Sequence, residues 1–168
     1  MREFQDIASF LRHMTGVAAL LSEAGALGVK DGAEIVAKEA KAELGRYQEQ
    51  VGPFVGWAEL ADYTKDERVK LGFSENEPGL RDGAMRDSIG VATARGGGGE
   101  HQAVAGSNDQ NLEWFEGGTA KQPPRPVLGG SAYRKEALIV EAMVGPVVNT
   151  IAGLPRSNRV GVHPDLKE

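Results

Sequence analysis

The side chains best suited to chemistry in this chain are three histidines, His13, His101 and His163, and they lie far apart in sequence. Two imidazoles share a metal ion from one helix when they stand four residues apart, and no such pair occurs here. His13 falls in a helical pattern, His101 in a strand and His163 in a tail, so surface imidazoles are expected. Ser88, Ser107 and Ser131 carry hydroxyls, but none stands in the glycine-flanked turn that activates a serine nucleophile. Carboxylates are plentiful beside lysines on helical faces, where solvated ion pairing accounts for them. Two glycine-rich stretches remain. Gly96–Gly99 is followed by Glu100-His101 and reads as a hairpin tip, not as a phosphate-cradling loop. Gly117-Gly118-Thr119-Ala120-Lys121 leads into prolines where a nucleotide loop needs a helix. These patterns predict no catalytic residue, no cofactor and no metal.

The elements that would position any site begin with a helical stripe at Phe4, Ile7, Leu11, Met14, Ala18 and Leu21. Gly25 and Gly28 are expected to end or bend that helix. A second helix is expected from Asp31, with its stripe at Ala33, Ala37, Ala40, Leu44, Tyr47 and Val51, closed by Gly52-Pro53. Thr64 and Glu67 have the spacing of a capping box for a helix over Lys65–Leu71, which Gly72 stops. Leu80–Asp87 allows one or two helical turns. Ser88–Arg95 and Glu100–Ser107 alternate as strands about the glycine turn, which predicts a β-hairpin, and Leu112–Phe115 reads as a third short strand. Tyr133–Ile151 carries a stripe at Ala137, Val140, Val144, Val148 and Ile151, with Gly145-Pro146 set to kink or split it.

Between hairpin and last helix runs Trp114–Ala132, two adjacent aromatics followed by paired glycines around Pro-Pro-Arg-Pro. Pro123, Pro124 and Pro126 predict an extended course for Gln122–Val127, with Lys121 and Arg125 projecting outward. A stiff basic arm of this kind suits contact with another molecule, and a plain rigid connector is the alternative. Trp57, Trp114 and Phe115 are expected to share a core cluster, or else one of them anchors a partner. The fold class is therefore α+β: N-terminal helices, a small antiparallel sheet with a hairpin, an extended proline-rich arm and a C-terminal helix. Three segments are expected: 1–52 helical, 53–153 an α+β core carrying the arm at 117–130, and 154–168 a tail.

Composition narrows the function classes. The chain has 168 residues, 40% hydrophobic and 26% charged, enough for one modest core. It has no cysteine, which excludes disulfides, thiolate metal sites and a cysteine nucleophile. Met1–Asp6 is mixed in charge and the apolar run Val17–Leu21 is short, so neither a signal peptide nor a membrane span is expected. Within a net charge of −5, residues 1–117 hold 12 basic and 20 acidic groups, whereas 118–136 hold four basic and one acidic. So acidic a body is a poor general binder of nucleic acid, although the arm is locally cationic.

Placed in order, several short motifs resemble one family. Leu80-Arg81-x-Gly83-x-Met85-Arg86-x-Ser88-Ile89 opens the hairpin and Val104-Ala105-Gly106-Ser107 closes it. Trp114-Phe115-Glu116-Gly117-Gly118-Thr119 and Pro124-Arg125-Pro126-Val127-Leu128 then lead to the last helix. Upstream, Trp57-x-x-Leu60-x-x-x-Thr64 with Arg68 adds a further piece. Together these resemble the neck proteins (head–tail joining, tail-component and tail-completion proteins) of tailed double-stranded DNA bacteriophages and phage-like particles. The likeness spans about residues 57–152 and departs at Gly117, where the family has an aromatic, and at Val127, where it has phenylalanine.

The resemblance implies a structural virion protein and no enzyme. It implies a homo-oligomeric ring, of six subunits or alternatively twelve, assembled in the host cytoplasm and set between head connector or adaptor and tail terminator or tube. DNA would pass through the ring without specific binding. On this reading Trp114, Phe115, Lys121, Pro124, Arg125, Pro126, Val127 and Leu128 form the interface, with Arg125 meeting an acidic group on the next subunit or ring. Two other classes stand beside it. A nucleic-acid-binding module would use Arg125, Arg134, Lys135, Arg156 and Arg159 on phosphates. A small enzyme would need a pocket built around His101 and nearby carboxylates.

Overall fold

The computed structural model describes residues 5–155, so Phe4, Arg156, Arg159, His163 and most of the expected tail lie outside the described residues. The chain is α+β, as expected: helices pack on a two-stranded antiparallel sheet.

One helix, α1, runs unbroken from Ile7 to Glu43. Asp6 caps it by accepting from the Ser9 amide at 2.6 Å, while the Ser9 hydroxyl lies 3.3 Å from the Asp6 amide and completes the box. The expected break at Gly25 and Gly28 does not occur. An interior glycine costs a helix only about 1 kcal/mol relative to alanine, and tertiary packing supplies the reason for tolerating it. Gly28 and Gly32 lie buried against Met143 of the C-terminal helix, and a Cβ on Gly28 would run into the Met143 carbonyl. The small residues thus set the distance between two helices.

α1 also stops earlier than its stripe suggests. Leu44 turns extended and Gly45 takes φ +95°, donating its amide to the Pro78 carbonyl at 2.8 Å. Tyr47 and Val51 therefore lie beyond the helix. Val51 pairs with Phe54 across the Gly52-Pro53 turn. The Tyr47 hydroxyl accepts from the Leu60 amide and donates to Asn76.

α2 spans Asp62–Lys70 and begins two residues before the expected cap. Thr64 is inside its first turn, donating its amide to Ala61 at 2.8 Å, and Glu67 accepts from Tyr63 instead of closing a capping box. Gly72, at φ +79°, follows its end as expected. α3 is the short turn Ala84–Ser88. β1 (Gly90–Arg95) and β2 (His101–Gly106) pair in antiparallel register, Val91 opposite Ala105 and Thr93 opposite Ala103, about a turn at Gly97–Gly99. A lone hairpin is marginal in water, and here α1 covers one face of it.

The expected third strand is a helix. α4 runs Gln110–Gly117, capped by Asp109, whose carboxylate accepts from the Asn111 amide at 2.9 Å. Leu112 and Phe115, three residues apart, are its buried residues, a helical spacing that a strand would split between two faces. α5 (Leu128–Arg134) and α6 (Glu136–Ile151) follow, and the break between them falls at Lys135. Pro146 neither splits nor ends α6; it lies inside the helix and is fully buried. α6 runs antiparallel to α1: Lys135 pairs with Glu39 at 3.4 Å, and Met143 meets Gly28. The core joins Ala37 and Ala40 of α1, and Leu44 just after it, to Trp57, Ile89, Leu112, Phe115 and Val127.

Candidate functional site

The arm after α4 is fastened to its own body. The Glu116 carboxylate accepts from three consecutive amides, Val127 at 2.6 Å, Leu128 at 2.9 Å and Gly129 at 2.9 Å, and so closes the first turn of α5. Arg125 is the reverse of the expected outward cation. It is 3% exposed. Its guanidinium donates to the Ala58 carbonyl at 3.0 and 2.8 Å and to Glu59 at 3.2 Å, and it lies over the Phe115 ring. Burial pushes its pKa down from the ordinary value, and the groups that meet its charge are carbonyl dipoles and a ring face. Trp57 donates its indole N–H to the Pro126 carbonyl at 3.0 Å and meets Phe115 edge-on at 5.3 Å.

Of the eight residues expected to meet a partner, Phe115, Arg125, Pro126 and Val127 are buried inside this chain and Leu128 is half-buried. Trp114, Lys121 and Pro124 remain exposed. Trp57 and Phe115 share the core as expected, whereas Trp114, on the adjacent helical position, is 48% exposed. The physical reason is neighbourhood. A proline run prevents regular pairing but does not prevent docking, and Glu116 and Trp57 supply the partners that the run's backbone lacks.

Two of the cations expected for phosphate contact, Arg134 and Lys135, are engaged inside the chain too, while Arg156 and Arg159 lie outside the described residues. Arg134 pairs with Glu43 at 2.5 Å and donates to the Glu49 carbonyl at 2.9 Å, and Lys135 pairs with Glu39. Glu43 is 4% exposed. Burial raises its carboxyl pKa against the opposing pull of Arg134 and, more weakly, of the Ser131 hydroxyl. His101 lies within 2.9 Å of the Ser22 hydroxyl, beside an open groove lined by Glu23, Lys30, Thr93 and Arg95. Ser88 and Ser107 bond each other at 2.6 Å across the base of the hairpin. No three His, Asp or Glu side chains gather as metal ligands among the described residues.

Among the described residues, two apolar helix surfaces have no cover. In α6, Ala137, Val140, Val144, Val148 and Ile151 are exposed, while Ile139, Ala142 and Pro146 on the opposite side approach or enter the packed interior. Its only charged residues are Glu136 and Glu141. A helix apolar on both faces is one that folding normally buries. The first turns of α1 repeat the pattern. Ile7 is 78% exposed, and Leu11 and Met14 follow at about half. With Glu39 opposite Lys135 and Gly28 opposite Met143, these turns extend beyond the end of α6.

The α6 stripe was visible in the sequence, but its direction was not. The second apolar row at Ile139, Ala142 and Pro146 was the available signal that one face would be left over. Glu116 and Arg68 give no such signal, since each acts on backbone distant in sequence; Arg68 holds the Ser74 and Leu80 carbonyls at 2.7 Å each. Among the described residues no helix is long and apolar enough to cross a membrane. No protein-family model, no curated protein and no solved structure matches this chain.

Proposed function

We propose that the protein is a structural ring subunit of the neck of a tailed phage or phage-like particle, joining the head connector to the tail around the DNA channel. The observation that carries this reading is the face of α6 that no described residue covers, on a helix apolar on two sides whose outer stripe Val140–Val144–Val148–Ile151 faces solvent. A chain with such a helix is built to be covered by protein. The motif series from Leu80 to Leu128 supplies the particular class. Glu116 and Arg125 within it work as fasteners of the fold, which is how residues shared by a structural family are used.

The interface assigned to the arm narrows accordingly to Trp114, Lys121 and Pro124, and Arg125 serves the fold instead of a neighbour. Electron microscopy of the purified protein, with native mass spectrometry to count subunits, is expected to show annular particles of six or twelve chains. In assembled particles, a labelled copy is expected at the junction of head and tail. Label found elsewhere on the particle, or absent from it, would sink the reading.

A further inference from the structure

We propose that the groove between α1 and the tip of the hairpin binds a small organic anion, an oxyanion head carried on an apolar body. The site makes no use of α6 and does not depend on the ring reading.

The hairpin presents two kinds of side chain to α1. Pairing sets Val91 opposite Ala105, Thr93 opposite Ala103 and Arg95 opposite His101, and alternate residues of a strand share one face. Toward the base of the hairpin that face is apolar, and Val91 and Ala105 pack against the core. Toward the tip it turns polar, and there the space between hairpin and helix is an open groove of about 600 Å³. Small-molecule sites occupy roughly 300–1,000 Å³. Ala26, Leu27 and Val29 of α1 supply the apolar part of its lining, and Leu27 is left 42% exposed.

The charged groups of the groove favour an anion. Arg95 is exposed, and among the described residues it has no hydrogen-bond or ion-pair partner. Lys30 reaches Glu34 at 3.4 Å with both side chains half exposed, a surface pair from which an incoming anion can draw the ammonium. Glu23 is the one carboxylate of the lining, so two permanent cations stand against one anion in a chain whose net charge is −5. His101 is fastened from the other side. Its Nε2 lies 2.9 Å from the Ser22 hydroxyl, which orients the ring and leaves Nδ1 as its second polar atom. An apolar wall with a few oriented polar groups is the composition of a small-ligand site. The planar fork of Arg95 matches the paired oxygens of a phosphate or carboxylate.

Isothermal titration calorimetry of the full chain with phenyl phosphate tests the site. Saturable binding of one molecule per chain is expected. Inorganic phosphate should bind about fivefold more weakly, since it leaves the apolar wall uncovered. Arg95→Gln is expected to weaken phenyl phosphate about tenfold by removing the charged fork. Leu27→Ser should weaken phenyl phosphate about fivefold and leave inorganic phosphate unchanged. Arg46→Gln, an exposed arginine outside the groove, should change neither. Because Arg95 is exposed and bonds to nothing described, its variant should keep the wild-type circular dichroism and decides the matter by itself. Absence of saturable binding, affinity that Arg95→Gln leaves unchanged, or equal affinity for phenyl phosphate and inorganic phosphate would overturn the proposal.

Discussion

Arg125 carries a full charge where almost no water reaches it, and its stability rests on carbonyl oxygens of Ala58 and Glu59. Removing the guanidinium strands those acceptors in a buried site. Arg125→Ala is expected to cost about 3 kcal/mol, read as a lowered urea midpoint. Arg125→Lys should rescue little, because a point ammonium cannot reproduce the planar fork. Glu43 poses the opposite problem. Burial raises its folded pKa above the ordinary 4.5, so the folded state holds that proton more tightly than the unfolded chain. Its contribution is then fully present below about pH 4.5 and is lost as pH rises through the raised folded value. Glu43→Gln keeps an acceptor for Arg134 but cannot ionise. The variant is expected to gain stability relative to wild type as pH climbs from 4.5 to neutral, measured by denaturation at a series of pH values.

At the level of elements, the pairing of α1 with α6 depends on the absence of side chains. Gly28 faces the Met143 backbone, whereas Gly25, three residues earlier on the same helix, has no atom within reach of an added Cβ. The two glycines should therefore respond with opposite signs. Gly28→Ala is expected to destabilise by about 2 kcal/mol through overpacking. Gly25→Ala should stabilise by about 0.5–1 kcal/mol, by relieving the entropy cost of glycine in a helix. Thermal unfolding of the two variants checks both. The same comparison explains why the expected break in α1 fails. Two glycines read as punctuation along the chain, but one of them is a contact surface that requires the helix to continue.

The molecule as a whole is a body with a finished interior and an unfinished exterior. Its core from Ala37 to Val127 closes without help, while α6 and the start of α1 leave their apolar stripes in water. Copies that cover one another should be stabilised by mass action, so the wild-type Tm is expected to rise with protein concentration. Val144→Glu with Val148→Glu should hold a constant Tm over the same range in scanning calorimetry. Arg125, Arg134 and Lys135 have internal partners.

Local order was legible in the residues themselves. Alternation over Ser88–Arg95 and the Gly96–Gly99 turn specified the hairpin, and the three-and-four spacing of Ala137, Val140, Val144, Val148 and Ile151 specified a helix, because both patterns arise from backbone periods of a few residues. Where those elements point, and what they touch, was decided only by the tertiary structure. Arg125 could be read as an outward cation until Ala58, 67 positions earlier, met it with a carbonyl. Leu112–Phe115 could be a strand until the core that holds Trp57 and Val127 took Leu112 and Phe115 together on one side. Such partners are brought together by packing and leave no periodic mark in the chain, so neither burial nor exposure could be assigned to them in advance.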